Sequence, residues 1–320
     1  MTQDEKNTVS GAISLCAAAA IWGGVFVVSK YVMDYIPPFA IIWIRYVIAF
    51  AMLWGMMRLR ARRISRTGTG SVPKPAGRDW ILVAAIGFVG YFVSIACQFT
   101  GTKLADAHTG ALITSASPVF TVLFARLFLG EPVTPRKIAS LIVSGAGVLV
   151  IIGISQGNGI DGYALGVIVL VLAAVTWALL SVFVRMASFR LDSMTITTWA
   201  ILFAAAFTTP AMLVESRTSP IVSVNPAVIA GILYIGVVST ALAYYLWNKG
   251  LERIDAGRAS LFIFVQPVVG SILGWMILGE RLSTRFFAGG ILVLAGVTLS
   301  ILGPARKSAP EIVSAGRKGT

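Results

Sequence analysis

The hydrophobic residues of this chain fall into blocks of roughly 20, close to the length that crosses a bilayer as a helix. Short polar turns rich in Pro, Gly or Asp separate the blocks. This pattern predicts an all-α integral membrane protein with ten transmembrane helices. The predicted spans are Gly11–Met33, Ile36–Met57, Trp80–Thr100, Ala105–Leu129, Arg136–Ile154, Tyr163–Ala187, Ser193–Val214, Pro226–Trp247, Ala256–Leu278 and Arg285–Leu302.

The second half of the chain repeats the first at a constant offset of 149 positions, as from Pro118 to Pro267. Near the start of each half the offset is 155, from Trp22 to Trp177. Such self-similarity indicates a duplicated unit. It predicts two five-helix repeats, at residues 11–154 and 163–302, with a linker at 155–162 and tails at 1–10 and 303–320. The matched sets are Pro118, Gly130, Glu131, Ala146, Gly147 and Val148 in one half and Pro267, Gly279, Glu280, Ala295, Gly296 and Val297 in the other.

Basic residues predict the orientation of these spans. Of the 26 Lys and Arg residues, twenty fall on the side that holds both termini, five fall on the other side, and Arg45 lies within a span. Lys and Arg collect on the cytoplasmic side of membrane proteins, so both termini are predicted to be cytoplasmic. Five spans per unit then make the second repeat inverted relative to the first. Inverted repeats are typical of secondary transporters; a structural bundle and a channel are the alternatives.

Composition supports the membrane location. The chain is 57% apolar and 12% charged, with a mean hydropathy of +0.86. The expected surroundings are therefore a lipid bilayer. A net charge of +13 would also suit a nucleic-acid-binding protein, but the basic residues lie in loops and tails, so no nucleic-acid partner is expected. Cys16 and Cys97 lie within apolar blocks without CxxC spacing, which favours neither a disulfide nor a metal site.

Carboxylates are confined to span ends, loops and tails, and His108 is the single histidine of the sequence. An intramembrane enzyme needs an acid–base pair, a nucleophile or a metal cluster within its spans. The sequence predicts no enzyme, no metal and no cofactor. The same distribution leaves proton exchange, solute exchange and facilitated transport all open as energy sources.

Two prolines, Pro118 and Pro267, lie inside the fourth and ninth predicted spans. Proline removes a backbone hydrogen bond and clashes with the preceding turn, so it bends or breaks a helix. Their symmetric recurrence favours hinges beside a substrate cavity over packing kinks.

Several charged residues are candidates for function. A guanidinium at Arg45 is costly in lipid, so it should face protein or water. It could bind a substrate carboxylate, or it could brace helix-end carbonyls. Lys30 lies one helical turn from Asp34, and Arg185 occupies the matching position in the second half. These three residues are predicted to form gates or to snorkel, and Glu131 and Glu280 are predicted to make helix-end or gate contacts.

Aromatic and amide side chains away from the membrane surfaces predict a pocket with few charges, suited to a neutral, zwitterionic or moderately apolar solute. They are Trp22, Tyr91, Gln98, Trp177, Tyr244, Tyr245 and Trp247. Small residues instead fill the fifth and tenth spans, where close helix packing is the expected role. These peripheral spans could also support a homodimer.

The doubled pattern of Pro118 to Glu131 and Pro267 to Glu280 resembles the two EamA units of the drug/metabolite transporter superfamily. The resemblance extends over roughly residues 11–302. It implies ten helices in a bacterial inner membrane and export of small metabolites by alternating access. By this resemblance the cavity is lined by Trp22, Tyr91, Gln98, Ser115, Trp177, Tyr245 and Gln266. The second half has Ala200 where the first has Arg45, which favours a special role for Arg45.

The leading hypothesis is a secondary transporter that exports a small metabolite, such as an amino acid or a similar amphiphile. A drug-efflux pump is the alternative within the same class. An intramembrane enzyme and a structural membrane partner are the alternatives from other classes.

Overall fold

The computed structural model describes residues 3–67, 74–104, 113–114, 116–152, 161–222, 224–278 and 284–301. Their secondary structure is helical, and no strand occurs in these ranges. The uninterrupted helices are α1 (Gln3–Met33), α2 (Pro38–Thr67), α4 (Ser117–Leu129), α5 (Pro135–Ile152), α6 (Asp161–Ala187), α7 (Ser193–Thr218) and α10 (Thr284–Ile301).

Three further helices are built from consecutive segments of different helical type. Helix α3 joins Arg78–Ala85, a π-helical segment Ile86–Val93, and Ser94–Leu104. Helix α8 has the same order of segments: Pro226–Leu233, a π-helical segment Tyr234–Leu242, and Ala243–Arg253. Helix α9 joins Ala256–Ala259, a 3₁₀ segment Ser260–Phe264, and Val265–Leu278.

Within these ranges, six helices are long and apolar enough to cross a bilayer: α1, α2, α3, α6, α7 and α8. Shorter apolar stretches occur at Ser117–Leu129, Ala256–Gly270 and Phe287–Leu299. The chain is thus a multi-pass membrane protein by its apolar helices, whereas the count of ten spans and the cytoplasmic termini remain predictions.

Helix boundaries differ from the predicted spans mainly at polar ends. Helix α2 continues to Thr67 instead of ending near Met57, and α8 continues to Arg253 instead of Trp247. The hydrophobic pattern marks only the apolar part of a helix, and backbone hydrogen bonding does not stop where the pattern does. The extension of α2 carries the arginines that the basic-residue count placed on the cytoplasmic side: Arg58, Arg60, Arg62, Arg63 and Arg66.

Helices of the two halves pack against each other in matched pairs. Helix α1 packs on α8 and α9, and its repeat mate α6 packs on α3 and α4. Likewise α2 packs on the π segment of α8, while its mate α7 packs on the π segment of α3. The pairs α2–α7 and α5–α10 each join a helix to its own repeat mate. The main helix contacts of one half thus recur between the equivalent helices of the other half. The hydrophobic core is formed by residues from both repeats.

The pair α2–α7 is held at both ends by polar contacts. A Glu215 carboxylate oxygen accepts from the Ala40 backbone N–H at 3.0 Å, near the start of α2. At the other end Arg60 of α2 forms an ion pair with Asp192, the residue that caps α7. Negative charge at a helix start is favourable because the first backbone N–H groups have no partner within the helix.

Helices α5 and α10 approach closely through small residues. A Cβ added at Gly147 would lie 2.6 Å from the Gly289 carbonyl oxygen and 2.8 Å from the Val293 nitrogen. A Cβ at Gly296 would lie 2.1 Å from the Ser144 Oγ. The small residues that the sequence assigned to helix packing thus face each other within one chain. This packing does not involve a second copy of the chain, and the homodimer stays a prediction.

Gly145 supplies a matched control on α5, because a Cβ added there would have no neighbour within 4 Å. We expect Gly147→Ala to destabilise the protein by about 1–3 kcal/mol through overpacking, and to lower its melting temperature in detergent. Gly145→Ala should leave the melting temperature unchanged or raise it, since alanine favours helix more than glycine. Equal effects of the two substitutions would contradict the described packing of α5 on α10.

Candidate functional site

A cavity of about 680 Å³ lies between the two halves. Helices α1, α2 and α3 and residues near the start of α4 contribute from the first half, and α6, α7, α8 and α9 contribute from the second. Its wall includes apolar, amide and hydroxyl side chains, notably Trp22, Val25, Ser29, Arg45, Ile95, Gln98, Phe99, Thr114, Ser117, Trp177, Ser239, Tyr244, Ile263 and Gln266. The volume suits one small molecule.

Among the residues that the structure describes, the lining of the cavity reaches one end of the bundle. Its lining includes Met33 at the end of α1, Leu104 at the end of α3 and Glu215 near the end of α7. Met33 and Leu104 are each 38% exposed. Towards the opposite end, Trp247, Leu251 and Ala259 are almost completely buried, so the bundle is packed there. The cavity is therefore open on one side and closed on the other.

An aromatic cluster lies at the inner limit of the cavity. The repeat mates Trp22 and Trp177 meet edge to face, with ring centroids 5.3 Å apart. Trp22 also packs against Tyr244 at 5.6 Å and Trp247 at 5.3 Å. Its indole nitrogen donates to the Ser239 carbonyl at 3.0 Å, which fixes the orientation of the ring. These large rings, each held by others, form a stable wall that a solute can pack against.

Arg45 is the positively charged residue among the described residues of this wall. Its side chain is 5% exposed, and its Nε donates to the Thr240 Oγ1 at 2.7 Å. One terminal nitrogen donates to the Tyr244 hydroxyl at 3.1 Å. The guanidinium carbon also lies 5.5 Å from the Tyr46 ring centre and 5.7 Å from that of Tyr244. Of its two predicted roles, bracing helix-end carbonyls does not match these contacts, which are all to side chains.

The π segments of α3 and α8 supply backbone acceptors to the site. The Ser239 carbonyl in α8 accepts from Trp22, and the Tyr91 carbonyl in α3 accepts from the Tyr46 hydroxyl. Thr240 donates its own hydroxyl to the Ile235 carbonyl at 2.7 Å. A π-helical segment widens the helix and frees carbonyls from the regular pattern, and such segments are frequent at functional sites. The two segments occur in repeat-mate helices, and the one in α8 contributes Ser239 to the cavity wall.

A second polar network lies behind the cavity. The Asn248 side-chain nitrogen donates to the Tyr91 hydroxyl at 3.1 Å and to the Thr197 Oγ1 at 2.8 Å. The rings of Tyr91 and Tyr244 stack with centroids 4.3 Å apart. In the part of the chain that the structure describes, Asn248 Oδ1, Trp247 Nε1 and Ser239 Oγ are buried without a partner. Buried polar atoms of this kind are costly, and they are candidates for contact with water or a solute.

The structure brings five of the predicted lining residues together at the cavity: Trp22, Arg45, Gln98, Trp177 and Gln266. Tyr91 instead lies behind Tyr244, and Ser115 lies outside the described residues. Tyr245 is half-buried away from the cavity, and the adjacent Tyr244 takes its place in the wall. Neighbouring residues on a helix point about 100° apart, so only one of the two tyrosines can face inward.

The repeat carries a signal that separates these two tyrosines. At the offset of 149, Tyr244 corresponds to Ile95, whereas Tyr245 corresponds to Ala96. Ile95 and Gln98 lie on one face of α3, one turn apart, and both line the cavity. Transferring that face to α8 selects Tyr244. Thr240, Asn248 and Tyr46 carried no comparable signal.

Glu131 closes the other end of the bundle. One of its carboxylate oxygens accepts from the Ala256 backbone N–H at 2.8 Å, and the other accepts from Gly257 at 3.0 Å. The Lys137 Nζ lies 3.2 Å from Glu131 Oε2 and 2.7 Å from Asp255 Oδ1. The carboxylate of the first half therefore binds the N-terminus of α9 in the second half, where unpaired N–H groups favour a negative charge.

The pKa values of the two acids of this cluster shift in opposite directions. Burial raises the pKa of the Glu131 carboxyl, and the nearby charge of Asp255 raises it further. Burial also disfavours the charged form of Asp255, but the contacts with Lys137 and Arg258 together outweigh this effect, so the pKa of Asp255 is lowered. The lysine is thus the main counter-charge at the closed end.

The other predicted gate residues are less completely described. Arg185 donates to the Leu251 and Glu252 carbonyls at 2.7 and 2.8 Å, so it satisfies the C-terminus of α8. Asp34 is exposed after α1. The side chain of Lys30 and the whole of Glu280 lie outside the described residues.

Both prolines lie at the start of a helical segment rather than in the middle of one. Pro118 falls in the first turn of α4, where a missing N–H costs no helical hydrogen bond. Pro267 falls just after the 3₁₀ segment Ser260–Phe264 and near the start of Val265–Leu278. The proline ring clashes with the carbonyl four residues back, so a regular α-helix cannot run through it. The helix is interrupted at both places, while the hinge role stays a prediction.

Comparison with known proteins gives the family. An uncharacterized transporter of Archaeoglobus fulgidus is 25% identical over 287 residues, covering 89% of this chain and 95% of its own. A probable amino-acid metabolite efflux pump of Salmonella typhimurium is 26% identical, covering 88% and 92%. A probable terminal-alkyne amino-acid exporter of Streptantibioticus cattleyicolor is 27% identical, covering 72% and 76%.

A solved crystal structure shares the fold, with a TM-score of 0.76 at 21% identity over 91% of this chain and 96% of the other. The sequence pattern of the EamA-like transporter family matches the chain twice, at residues 9–153 and 164–302. The chain therefore belongs to the EamA-like transporter family, within the drug/metabolite transporter superfamily.

Proposed function

We propose that this protein is a secondary transporter that exports a small amphiphilic metabolite across a bacterial inner membrane by alternating access. The observation that carries the proposal is a cavity between two repeated halves that is open at one end and closed by contacts between the halves at the other. The family and its relatives are transporters, which favours transport over catalysis.

The predicted orientation of the chain tells which side of the membrane the open end of the cavity faces. With both termini cytoplasmic, the ends of α1 and α3 lie on the outer side, and the Glu131 cluster lies on the cytoplasmic side. The structure then corresponds to an outward-open state. Loading from the cytoplasm requires the Glu131 contacts to break and the opposite end to close, with the interruptions beside Pro118 and Pro267 as the proposed hinges.

The wall composition and two relatives support the substrate class. Aromatic rings, amides and hydroxyls dominate the wall, and Arg45 adds one positive charge. Such a surface suits an amphiphile of modest size. Relatives named as a probable amino-acid metabolite efflux pump and a probable terminal-alkyne amino-acid exporter point to amino acids or similar compounds. A drug-efflux pump is the alternative that the same wall permits.

Transport is tested by efflux of a panel of radiolabelled solutes from proteoliposomes, with and without a pH gradient. For any solute that moves, Trp177→Ala and Gln98→Ala should each lower the flux by about tenfold, because each removes a cavity contact. Trp54→Ala is the matched control, since Trp54 is 37% exposed and stacks on Phe50 outside the cavity. Unchanged flux in both cavity variants would exclude this cavity as the route.

The closed end is tested by the isosteric change Glu131→Gln. It removes the charge that binds the start of α9 and Lys137, and hydrogen bonds to charged groups contribute about 1.5–3 kcal/mol. We expect roughly a tenfold or larger rise in the population with an open cytoplasmic end. Spin labels at Val133→Cys and Phe189→Cys, two exposed sites in different halves, should then show a longer distance.

Glu252→Gln is the control for this experiment. The Glu252 carboxylate contacts Ser193 and Lys249, which both belong to the same half as Glu252. It should leave the distance distribution as in the parent protein. A similar shift in both variants would mean that loss of any carboxylate loosens this end, and it would contradict the specific role of Glu131.

A further inference from the structure

Arg45 holds a positive charge that the described protein does not neutralise. The acceptors of its hydrogen bonds are the hydroxyls of Thr240 and Tyr244, which are neutral. Among the described residues no carboxylate lies within ion-pair distance of Arg45. Glu215 also lines the cavity, but it contacts the start of α2. A guanidinium is always charged in proteins, so this charge persists in the open cavity.

The environment of Arg45 orients the guanidinium and leaves donors available. The Thr240 hydroxyl donates to the Ile235 carbonyl, so its oxygen is free to accept from Arg45 Nε at 2.7 Å. These bonds and the flanking rings of Tyr46 and Tyr244 fix the plane of the group. Two of five N–H donors are used in this way, and the remaining donors suit the two oxygens of a carboxylate.

The surfaces next to Arg45 are apolar. Trp22 and Trp177 form one wall, and Ile95, Phe99 and Ile263 contribute further apolar surface. A solute that satisfied Arg45 would thus place its remaining atoms against rings and aliphatic side chains. This combination selects a molecule with one anionic end and one apolar end.

From these contacts we infer that Arg45 is the residue that recognises a carboxylate, and that the substrates are small amphiphiles with one carboxylate and an apolar or aromatic remainder. This inference rests on the proposed transport function and narrows it to a substrate class. The asymmetry of the repeat agrees with it. The position that matches Arg45 is Ala200, which is completely buried, so the second half presents no arginine at this place.

Binding to the purified protein in nanodiscs tests the substrate class without interference from passive permeation. The probes are 3-phenylpropionate and 3-phenylpropanamide, which share a ring and a chain and differ in the carboxylate. We expect isothermal titration calorimetry to give a Kd at least about tenfold lower for the carboxylate, as for a charge-assisted hydrogen bond pair. Equal Kd values would overturn the inference.

Variants assign the preference to Arg45. Arg45→Gln should reduce the ratio of the two Kd values to below about threefold, and Arg45→Lys should restore part of it, because a lysine keeps the charge without the fork of donors. Arg58→Gln removes a positive charge from the same helix, at a residue that lies over Trp54, and should keep the full ratio. An unchanged ratio in Arg45→Gln would overturn the assignment, as would equal weakening of both probes.

If Arg45→Gln fails to fold, Thr240→Val and Tyr244→Phe answer the same question, because they remove the hydroxyls that orient the guanidinium. Each should raise the Kd of the carboxylate while that of the amide stays unchanged; a parallel change in both would contradict the inference.

The efflux panel distinguishes failure of the carboxylate inference from failure of the proposed transport function. Flux of cationic solutes without any carboxylate would refute the inference and retain transport, whereas no flux of any solute would refute transport itself.

Discussion

The contact on which the described state depends is the one between the Glu131 carboxylate and the N-terminus of α9. It joins the two halves at one end of the bundle through two backbone N–H groups of the second half, and Lys137 of the first half lies against the same carboxylate. Without it, the α4–α5 turn of the first half would keep the Lys137–Asp255 ion pair with the α8–α9 turn of the second but would lose both hydrogen bonds to the backbone of α9. The cavity would then lose the one-sided access on which a transporter depends.

The cavity itself depends on irregular helices. In a membrane, each backbone group that leaves the regular helical pattern must find another partner within the protein. The π segments of α3 and α8 do so, since side chains such as Trp22, Tyr46 and Thr240 bond to their carbonyls. The same bonds orient the wall of the cavity. The π segment of α8 therefore helps to fix the positions of Trp22, which donates to its Ser239 carbonyl, and of Arg45, which donates to its Thr240 hydroxyl.

Much of this arrangement was predictable from the sequence, because it depends on periodic features. Hydrophobic blocks predicted the helical fold, and the offset of 149 brought out Pro118 and Pro267 as a pair. Trp22 and Trp177 stood out as repeat mates, and in the structure their rings touch. When two repeats pack against each other, some pairs of equivalent residues meet at the interface between them. The repeat in the sequence therefore already indicated residues at the centre of the bundle.

Other parts were not predictable, for physical reasons. Helix periodicity alone does not tell which of Tyr244 and Tyr245 faces inward, because a π segment upstream changes the helix phase; only the comparison with Ile95 in the first repeat separates them. The Asn248 network joins α8 to α3 and α7, across separations of 157 and 51 residues. Asp255 and Lys137 belong to different halves and come within 2.7 Å only in the folded protein. Such contacts arise from tertiary packing and leave no local pattern.

Access to the cavity from each side of the membrane tests the account most directly. Val25, half-buried in the cavity wall, is replaced by cysteine in a chain where Cys16 and Cys97 are serine. A membrane-impermeant thiol reagent is then applied to one side of sealed vesicles at a time. The account predicts labelling from the outer side without solute, labelling also from the cytoplasmic side during transport, and no ion conductance in either condition. Labelling from a single side at every solute concentration would contradict alternating access.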